Sequence, residues 1–270
     1  MMNLGIMQGR LLPSFKSNYQ AHPINYWKKE FLIAKEIGLN SIEFIIDAYL
    51  YANNPILNKH GLNEIKNLIL ESEVTVRSIC ADIFMEWPIQ KIVKSEKNIY
   101  IELINKMIEN LSEIGGKDIV IPFVDNSSIK NDSEKEFIVD FLNNFKNIVK
   151  EKDINICIES DLDPYDLKKF IESFNNEKIK INYDSGNSAS LGYKFDEEIA
   201  LYKEKISNIH IKDRIYGGGP VPLGKGDSEI KKVKDFIISE EYNGTITFQA
   251  YRDKNQVQTF LDQYNYFLNL

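Results

Sequence analysis

Two carboxylates, an imidazole and a carboxamide occupy matching places in four short segments: Glu159 in ICIES, Asp184 in INYDS, His210 in IHIKD and Gln249 in ITFQA. Oxygen and nitrogen donors of these types, gathered at one point, are what a divalent cation requires. Each segment alternates aliphatic and polar residues. Ile154, Ile156 and Ile158 alternate with Asn155, Cys157 and Glu159, and Ile179, Ile181 and Tyr183 alternate with Lys180, Asn182 and Asp184. Ile209 and Ile211 stand against Asn208, His210 and Lys212, and Ile246 and Phe248 against Thr245, Thr247 and Gln249. A period of two marks a strand with one aliphatic face, and all four donors fall on the polar face at or near the C-terminal end.

The elements that must position them are regular. The pattern predicts strands near residues 3–7, 41–45, 75–80, 118–123, 154–159, 179–184, 207–212 and 244–249, each followed by a helix-length segment. Eight such units predict a (β/α)8 barrel, whose strands turn their aliphatic faces to the helices and whose chemistry sits at the C-terminal mouth. The 270 residues match the roughly 250 of one barrel, and 43% hydrophobic content supplies a continuous core, so residues 1–270 are read as one domain. Helix starts are marked by Asp163 before Pro164 and by the capping-box spacing of Ser133 and Glu136. Ile99, Leu103, Met107, Ile108 and Leu111 predict a buried stripe at helical period.

Composition narrows the function. The net charge of −7 comes without a basic run or a cluster of Lys/Arg interleaved with aromatics, which argues against a nucleic-acid footprint. The two cysteines, Cys80 and Cys157, fall in predicted strands and read as buried free thiols in a reducing compartment. The start MMNLGIMQGR lacks the pattern of a signal peptide, and no apolar run is long enough to span a bilayer. The expected location is cytoplasmic, away from membranes.

The order of these motifs resembles the xylose isomerase-like barrel superfamily, which includes sugar (phosphate) isomerases and epimerases, inosose-type enzymes and the endonuclease IV group. Carrying the resemblance are Asp184-Ser185-Gly186-Asn187, His210-Ile211-Lys212-Asp213-Arg214, the turn Pro222-Leu223-Gly224-Lys225-Gly226-Asp227, and Gln249-Ala250-Tyr251-Arg252. It spans essentially the whole chain and implies one divalent ion (Mn, Mg, Co or Zn) held by Glu159, Asp184, His210 and Gln249. It further implies a small carbohydrate substrate, an enediolate route, and a homodimer. Two departures stand out. Epimerases of the family usually have glutamate where this chain has Gln249, and a carboxamide can coordinate a hard cation but carries no proton at neutral pH. Asn187 stands where relatives often have histidine. With only His22, His60 and His210 in the chain, the histidine-rich site of the nuclease branch cannot be assembled.

Sugar isomerisation removes a proton from the carbon beside a carbonyl, and Glu159 is the candidate base. Lys212, Glu43 and Asp213 are alternative sources of a second proton-transfer group. Losing a carboxylate at position 249 favours isomerisation, which one base can run from one face, over epimerisation, which normally needs two. Arg252, Gln8, Asn187 and Asp213 are read as substrate-contacting, although Arg252 and Arg10 could equally pair with acids. Gly217-Gly218-Gly219 is either a phosphate loop or a plain loop. Glu43 closes the second strand on its inward side, as a site wall or a support for a ligand. His22 and His60 read as ordinary loop histidines, and Phe84, Trp87 and Phe123 as an apolar wall or core packing. The expected activity is that of a metal-dependent sugar isomerase or epimerase. An inosose-type dehydratase and a sugar-binding barrel without turnover are the alternatives.

Overall fold

The computed structural model describes residues 2–270. Eight parallel strands close on themselves: β1 (Leu4–Met7), β2 (Ser41–Ile45), β3 (Thr75–Cys80), β4 (Asp118–Phe123), β5 (Asn155–Ser160), β6 (Ile179–Asp184), β7 (Ile206–Ile211) and β8 (Thr245–Phe248). Each pairs with its sequence neighbours, and β8 closes the ring against β1. This is the (β/α)8 barrel expected from the alternating pattern. Strand limits agree with the sequence reading to within one residue, and Gln249 continues the β8 ladder by donating its backbone N–H to Ile211 O at 3.0 Å.

Ile154, Ile156, Ile158, Ile179 and Ile181 are buried against the surrounding helices, as the aliphatic face of each strand requires. The barrel interior divides. Met7, Ile45, Cys80, Val120 and Cys157 form a small apolar cluster of their own, whereas β6, β7 and β8 turn asparagine, histidine and threonine inward. Near the N-terminal end Asp118 ties four strands together. It accepts from Asn155 Nδ2 at 2.9 Å, Ser207 Oγ at 2.6 Å, Cys157 Sγ at 3.5 Å and Thr245 Oγ1. Asp118→Ala removes the acceptor these donors share, leaving only Asn155 Nδ2 with another, Ser207 Oγ at 3.0 Å, and is expected to destabilise the fold by about 3 kcal/mol, measured as a shift of the urea midpoint. A midpoint unchanged from wild type would remove the carboxylate from the account of stability.

Helix starts follow local chemistry. Asp163 caps the helix Pro164–Glu172, accepting from Tyr165 N and Asp166 N at 3.1 and 3.2 Å. The helix Asp132–Asn143 begins earlier than the Ser133 signal placed it, because Asn131 accepts from Glu134 N at 3.0 Å and takes the capping role. In the helix Lys97–Glu113, Leu103, Met107, Ile108 and Leu111 are buried as expected, but Ile99 is exposed and Tyr100 and Ile104 complete the stripe. Among the described residues no helix is long and apolar enough to cross a membrane.

Candidate functional site

The strand register brings the donors together. Asp184 on β6 lies directly beside His210 on β7, and Glu159 is the next-to-last residue of β5, on the other side of β6. Two register shifts adjoin this region: one between Ile181 and Asn182 in the β6–β7 pairing, the other between Ile42 and Glu43 in the β2–β3 pairing. Such irregularities re-aim side chains near functional ends of strands. The second sets Ser78 opposite Glu43.

One ligand atom each from Glu159, Asp184 and His210 lies within 4.8 Å of the others, and all three residues are buried. His210 Nδ1 faces Glu159 Oε2 at 3.5 Å and Asp184 Oδ2 at 3.7 Å. Its Nε2 is 2.8 Å from Glu43 Oε1, although the two atoms are not aligned as a linear hydrogen bond. Glu43 is anchored in turn by Ser78 Oγ at 2.6 Å and Asn208 Nδ2 at 2.8 Å, both donating to Oε2. A carboxylate behind the far nitrogen of a histidine is the usual support for a metal-ligating imidazole. Glu43 therefore supports His210 from within the barrel and does not line the cavity.

Glu159 is held from both sides. Asn182 Nδ2 donates to Oε2 at 2.8 Å and Asn187 Nδ2 to Oε1 at 2.6 Å. Asp184 Oδ1 caps the short helix Ser185–Leu191 by accepting from Asn187 N at 2.8 Å. Gly186 lets that helix lie against β7, because a Cβ there would meet Lys212 Cγ at 2.7 Å.

The donor set fits a hard divalent cation. Asp184 Oδ2 and Gln249 Oε1 are buried acceptors without a hydrogen-bond partner, a condition that ordinarily costs about 1–3 kcal/mol each. The cations nearest to Asp184 Oδ2, Lys212 Nζ at 3.5 Å and the His210 ring at 3.7 Å, stand at the edge of hydrogen-bond range or beyond it. The carboxamide of Gln249 is oriented by donating from Nε2 to Gln20 Oε1 at 3.0 Å.

Charges in the cluster are strongly displaced. Burial, then the neighbouring Asp184 charge, pushes Glu159 up to about 7. Burial opposes a charge on His210, but Glu43, Asp184 and Glu159 around it carry its pKa up to about 10. Against the same burial, Lys212 and His210 hold Asp184 down at about 2. Asn182 Nδ2, 3.1 Å from His210 Nδ1, suits the neutral ring with its proton on Nε2, the form that binds a cation. Without a cation the surrounding carboxylates favour the imidazolium, so binding an ion releases a proton. Affinity for Mn2+ is accordingly expected to rise about tenfold per pH unit from pH 7 to 9. Below pH 7, where Glu159 must also lose its proton, the rise should steepen. Calorimetric titration across that range checks the slope, and a pH-independent affinity contradicts it.

Above the cluster a cavity of about 380 Å³ opens at the C-terminal mouth. Glu159, Asn187, Lys212, Arg214 and Gln249 line one side of it, and Asp47, Cys80, Asp82, Glu86 and Asp125 another. A wider groove of about 750 Å³ on the outer surface, beside the helices Asp132–Asn143 and Pro164–Glu172, contains none of the four donors.

The remaining residues singled out from sequence lie elsewhere. Gln8 is buried, its Oε1 in contact with His22 Nδ1 at 2.8 Å and accepting from Ile45 N at 3.2 Å. Arg252 is spent on the loop after β1, donating to Leu12 O at 2.6 Å and Tyr19 O at 3.2 Å. Asp213 accepts three backbone N–H groups from the turn at 224–228. His22 lies in a loop as expected but is buried, packed near Trp27 and Phe44, whereas His60 is exposed in the first turn of the helix Lys59–Ser72 and not in a loop. Phe84 and Phe123 are fully buried core residues, and Trp87 packs on Tyr51 and Tyr100. Sequence reasoning missed Asp47 and Asp82, each two residues past a strand end, where the loop position was the available signal. It missed Gln20 too, which sits in an irregular loop without periodicity.

Fold and donor set together define a (β/α)8 barrel with a candidate cation site at its C-terminal mouth. Residues 31–268 match the model of the xylose isomerase-like TIM barrel, and the chain belongs to that family. A Haemophilus influenzae protein, assigned by name as L-ribulose-5-phosphate 3-epimerase SgbU, is 21% identical over 85% of each chain. Among solved structures, the 3-keto-D-glucoside 4-epimerase YcjR from E. coli aligns over 100% of both chains with a TM-score of 0.75 at 16% identity. The IOLI protein, crystallised with a zinc atom, aligns over 99% of this chain and 98% of its own with a TM-score of 0.76 at 14% identity. At these identities the structural matches speak for the fold.

Proposed function

We propose that the protein is a divalent-metal-dependent isomerase of a small carbohydrate, acting by proton transfer at the carbon beside a carbonyl. The observation that carries this reading is the convergence of Glu159, Asp184 and His210, with ligand atoms within 4.8 Å of one another, beside a sugar-sized cavity that Glu159 lines. Glu159, Asp184 and His210 would hold the ion, with Gln249 Oε1 as a neutral fourth donor. A divalent cation there supplies electrostatic stabilisation of the negative charge that develops on sugar oxygens as the carbon loses its proton.

The chain's own residues do the rest. Glu159 takes the proton: it lines the cavity, and Asn182 and Asn187 fix its two oxygens. Glu43 positions His210 through the interior contact at Nε2. Lys212 lies between Asp184 and the cavity, 3.5 Å from Asp184 Oδ2, where it can donate to a substrate oxygen. Gln249 cannot move a proton, so a single carboxylate serving one face favours isomerisation.

Epimerisation is the second reading. The names of the relatives support it, and so does Asp82, a second carboxylate in the same cavity that accepts from Gln20 Nε2 at 2.5 Å. Incubating the Mn2+-loaded protein with aldoses, ketoses and keto-glycosides in D2O separates the readings. Isomerisation gives an aldose–ketose pair of equal mass apart from exchanged deuterium, and epimerisation gives a stereoisomer of the same functional class. Loss of water would indicate a dehydratase. No conversion of any panel member would contradict both readings and leave a binding protein.

A further inference from the structure

The cavity has little to offer a phosphate. Arg214 donates from Nε and Nη2 to Gly218 O at 3.1 and 2.9 Å and from Nη1 to Asn187 Oδ1 at 2.9 Å. Lys212 Nζ, 3.5 Å from Asp184 Oδ2 and 3.4 Å from Asn187 Oδ1, is left as a single ammonium able to donate to a ligand oxygen. Behind the wall, Arg10 and Arg252 are spent on Tyr19 O, Gln20 Oε1 and Leu12 O.

Two backbone amides of the loop after β7 are committed as well. In the glycine run after β7, Gly217 N donates to Ser190 O at 2.9 Å and Gly218 N to Ile215 O at 2.7 Å. The turn at 224–228 does form a concave array of N–H groups of the kind that holds anions. Asp213 already fills it, accepting from Gly224 N and Gly226 N at 2.8 and 3.0 Å through Oδ2 and from Ser228 N at 3.0 Å through Oδ1. The carboxylate fits so closely that a Cβ on Gly226 would stand 2.3 Å from Asp213 Oδ1.

The facing wall is acidic. Asp47, Asp82, Glu86 and Asp125 line the cavity along with Glu159, five carboxylates against the two cations Lys212 and Arg214. Adding Asp184 and a divalent cation leaves the mouth at formally −2. A dianionic group entering it meets like charge and finds no uncommitted donor array. Carboxylates are acceptors, and the natural partners for a wall of them are hydroxyl groups. Asp47 accepts from His22 N through Oδ2 at 2.7 Å and faces the cavity. Gln249 Oε1, buried and unpartnered, marks the floor of the same space.

We infer that the substrate is an unphosphorylated sugar whose hydroxyls donate to Asp47, Asp82 and Glu86, and that its phosphate ester is excluded. The inference rests on the proposed function and departs from the phosphate ester in the name of the Haemophilus influenzae relative.

The test is a matched comparison on the Mn2+-loaded protein: L-ribulose against L-ribulose 5-phosphate, and D-fructose against D-fructose 6-phosphate, by kcat/KM and by calorimetric Kd. The expected result is a preference for the free member of at least one pair, on the order of tenfold or more. Equal or better use of the phosphate, in turnover or binding, overturns the inference while leaving the proposed activity standing. Binding of the free sugar with no turnover upholds the substrate class and removes the proposed activity; no binding of any member removes both. The double variant Asp47→Asn/Glu86→Gln should shift the ratio of the two Kd values toward the phosphate by about tenfold. An unmoved ratio would show that these carboxylates do not exclude it.

Discussion

Glu159→Gln is expected to lower kcat by at least ~10³-fold on whichever sugar the protein converts, with the fold retained. Removing a general base typically costs about 10²–10⁴ in rate, and this residue is also one of the proposed ion ligands, so the upper part of that range applies. The loss should be catalytic and not structural. The glutamine keeps one oxygen for Asn182 or Asn187 and sacrifices the other bond, a cost of about 1 kcal/mol. Removing a buried charge beside Asp184 offsets that cost, since the same burial and repulsion push the Glu159 pKa up to about 7. Rate and thermal midpoint measured on one preparation check both halves. Activity within tenfold of wild type would remove Glu159 from the proton transfer.

The second large effect concerns the ion. Asp184→Asn and His210→Ala are each expected to weaken Mn2+ binding by at least ~100-fold, because each removes one of only three strong donors and the fourth, Gln249, is neutral. The two variants should differ in their side effects. In Asp184→Asn the new carboxamide retains an oxygen able to cap the helix Ser185–Leu191, so stability should stay near wild type. His210→Ala leaves Glu43 buried with two remaining donors, Ser78 and Asn208, and loses the imidazole that balances its charge. A further destabilisation of about 2–3 kcal/mol should follow. Chelator competition gives the affinities and denaturant titration the stabilities. Unchanged affinity in both variants would place the ion elsewhere.

The barrel was legible from the strands because the alternation of aliphatic with polar residues is nearly unbroken in β5 to β8, and a two-residue period also fixes which face points inward. That parity found Glu159, Asp184, His210 and Gln249, and the structure gathers the first three into one cluster with Gln249 lining the cavity above them. The loops were not legible in the same way. Arg252 and Asp213 have the right residue types and lie close to strand ends, yet their partners are backbone groups of loops whose path no periodicity encodes. Asp82 and Gln20 enter the cavity for the converse reason: irregular segments carry them there, and only the folded chain brings them together, 62 positions apart. His22 shows the same limit, since burial of a loop histidine depends on Trp27 and Phe44 packing over it.

The most direct test is a crystal structure of the protein grown or soaked with Mn2+ and measured at a wavelength where manganese scatters anomalously. A single strong anomalous peak is expected within about 2.0–2.4 Å of Glu159, Asp184 and His210 Nδ1, with Gln249 Oε1 turned toward it. A peak held by other residues, or none at millimolar Mn2+ with His210 still turned toward three carboxylates, would contradict the account.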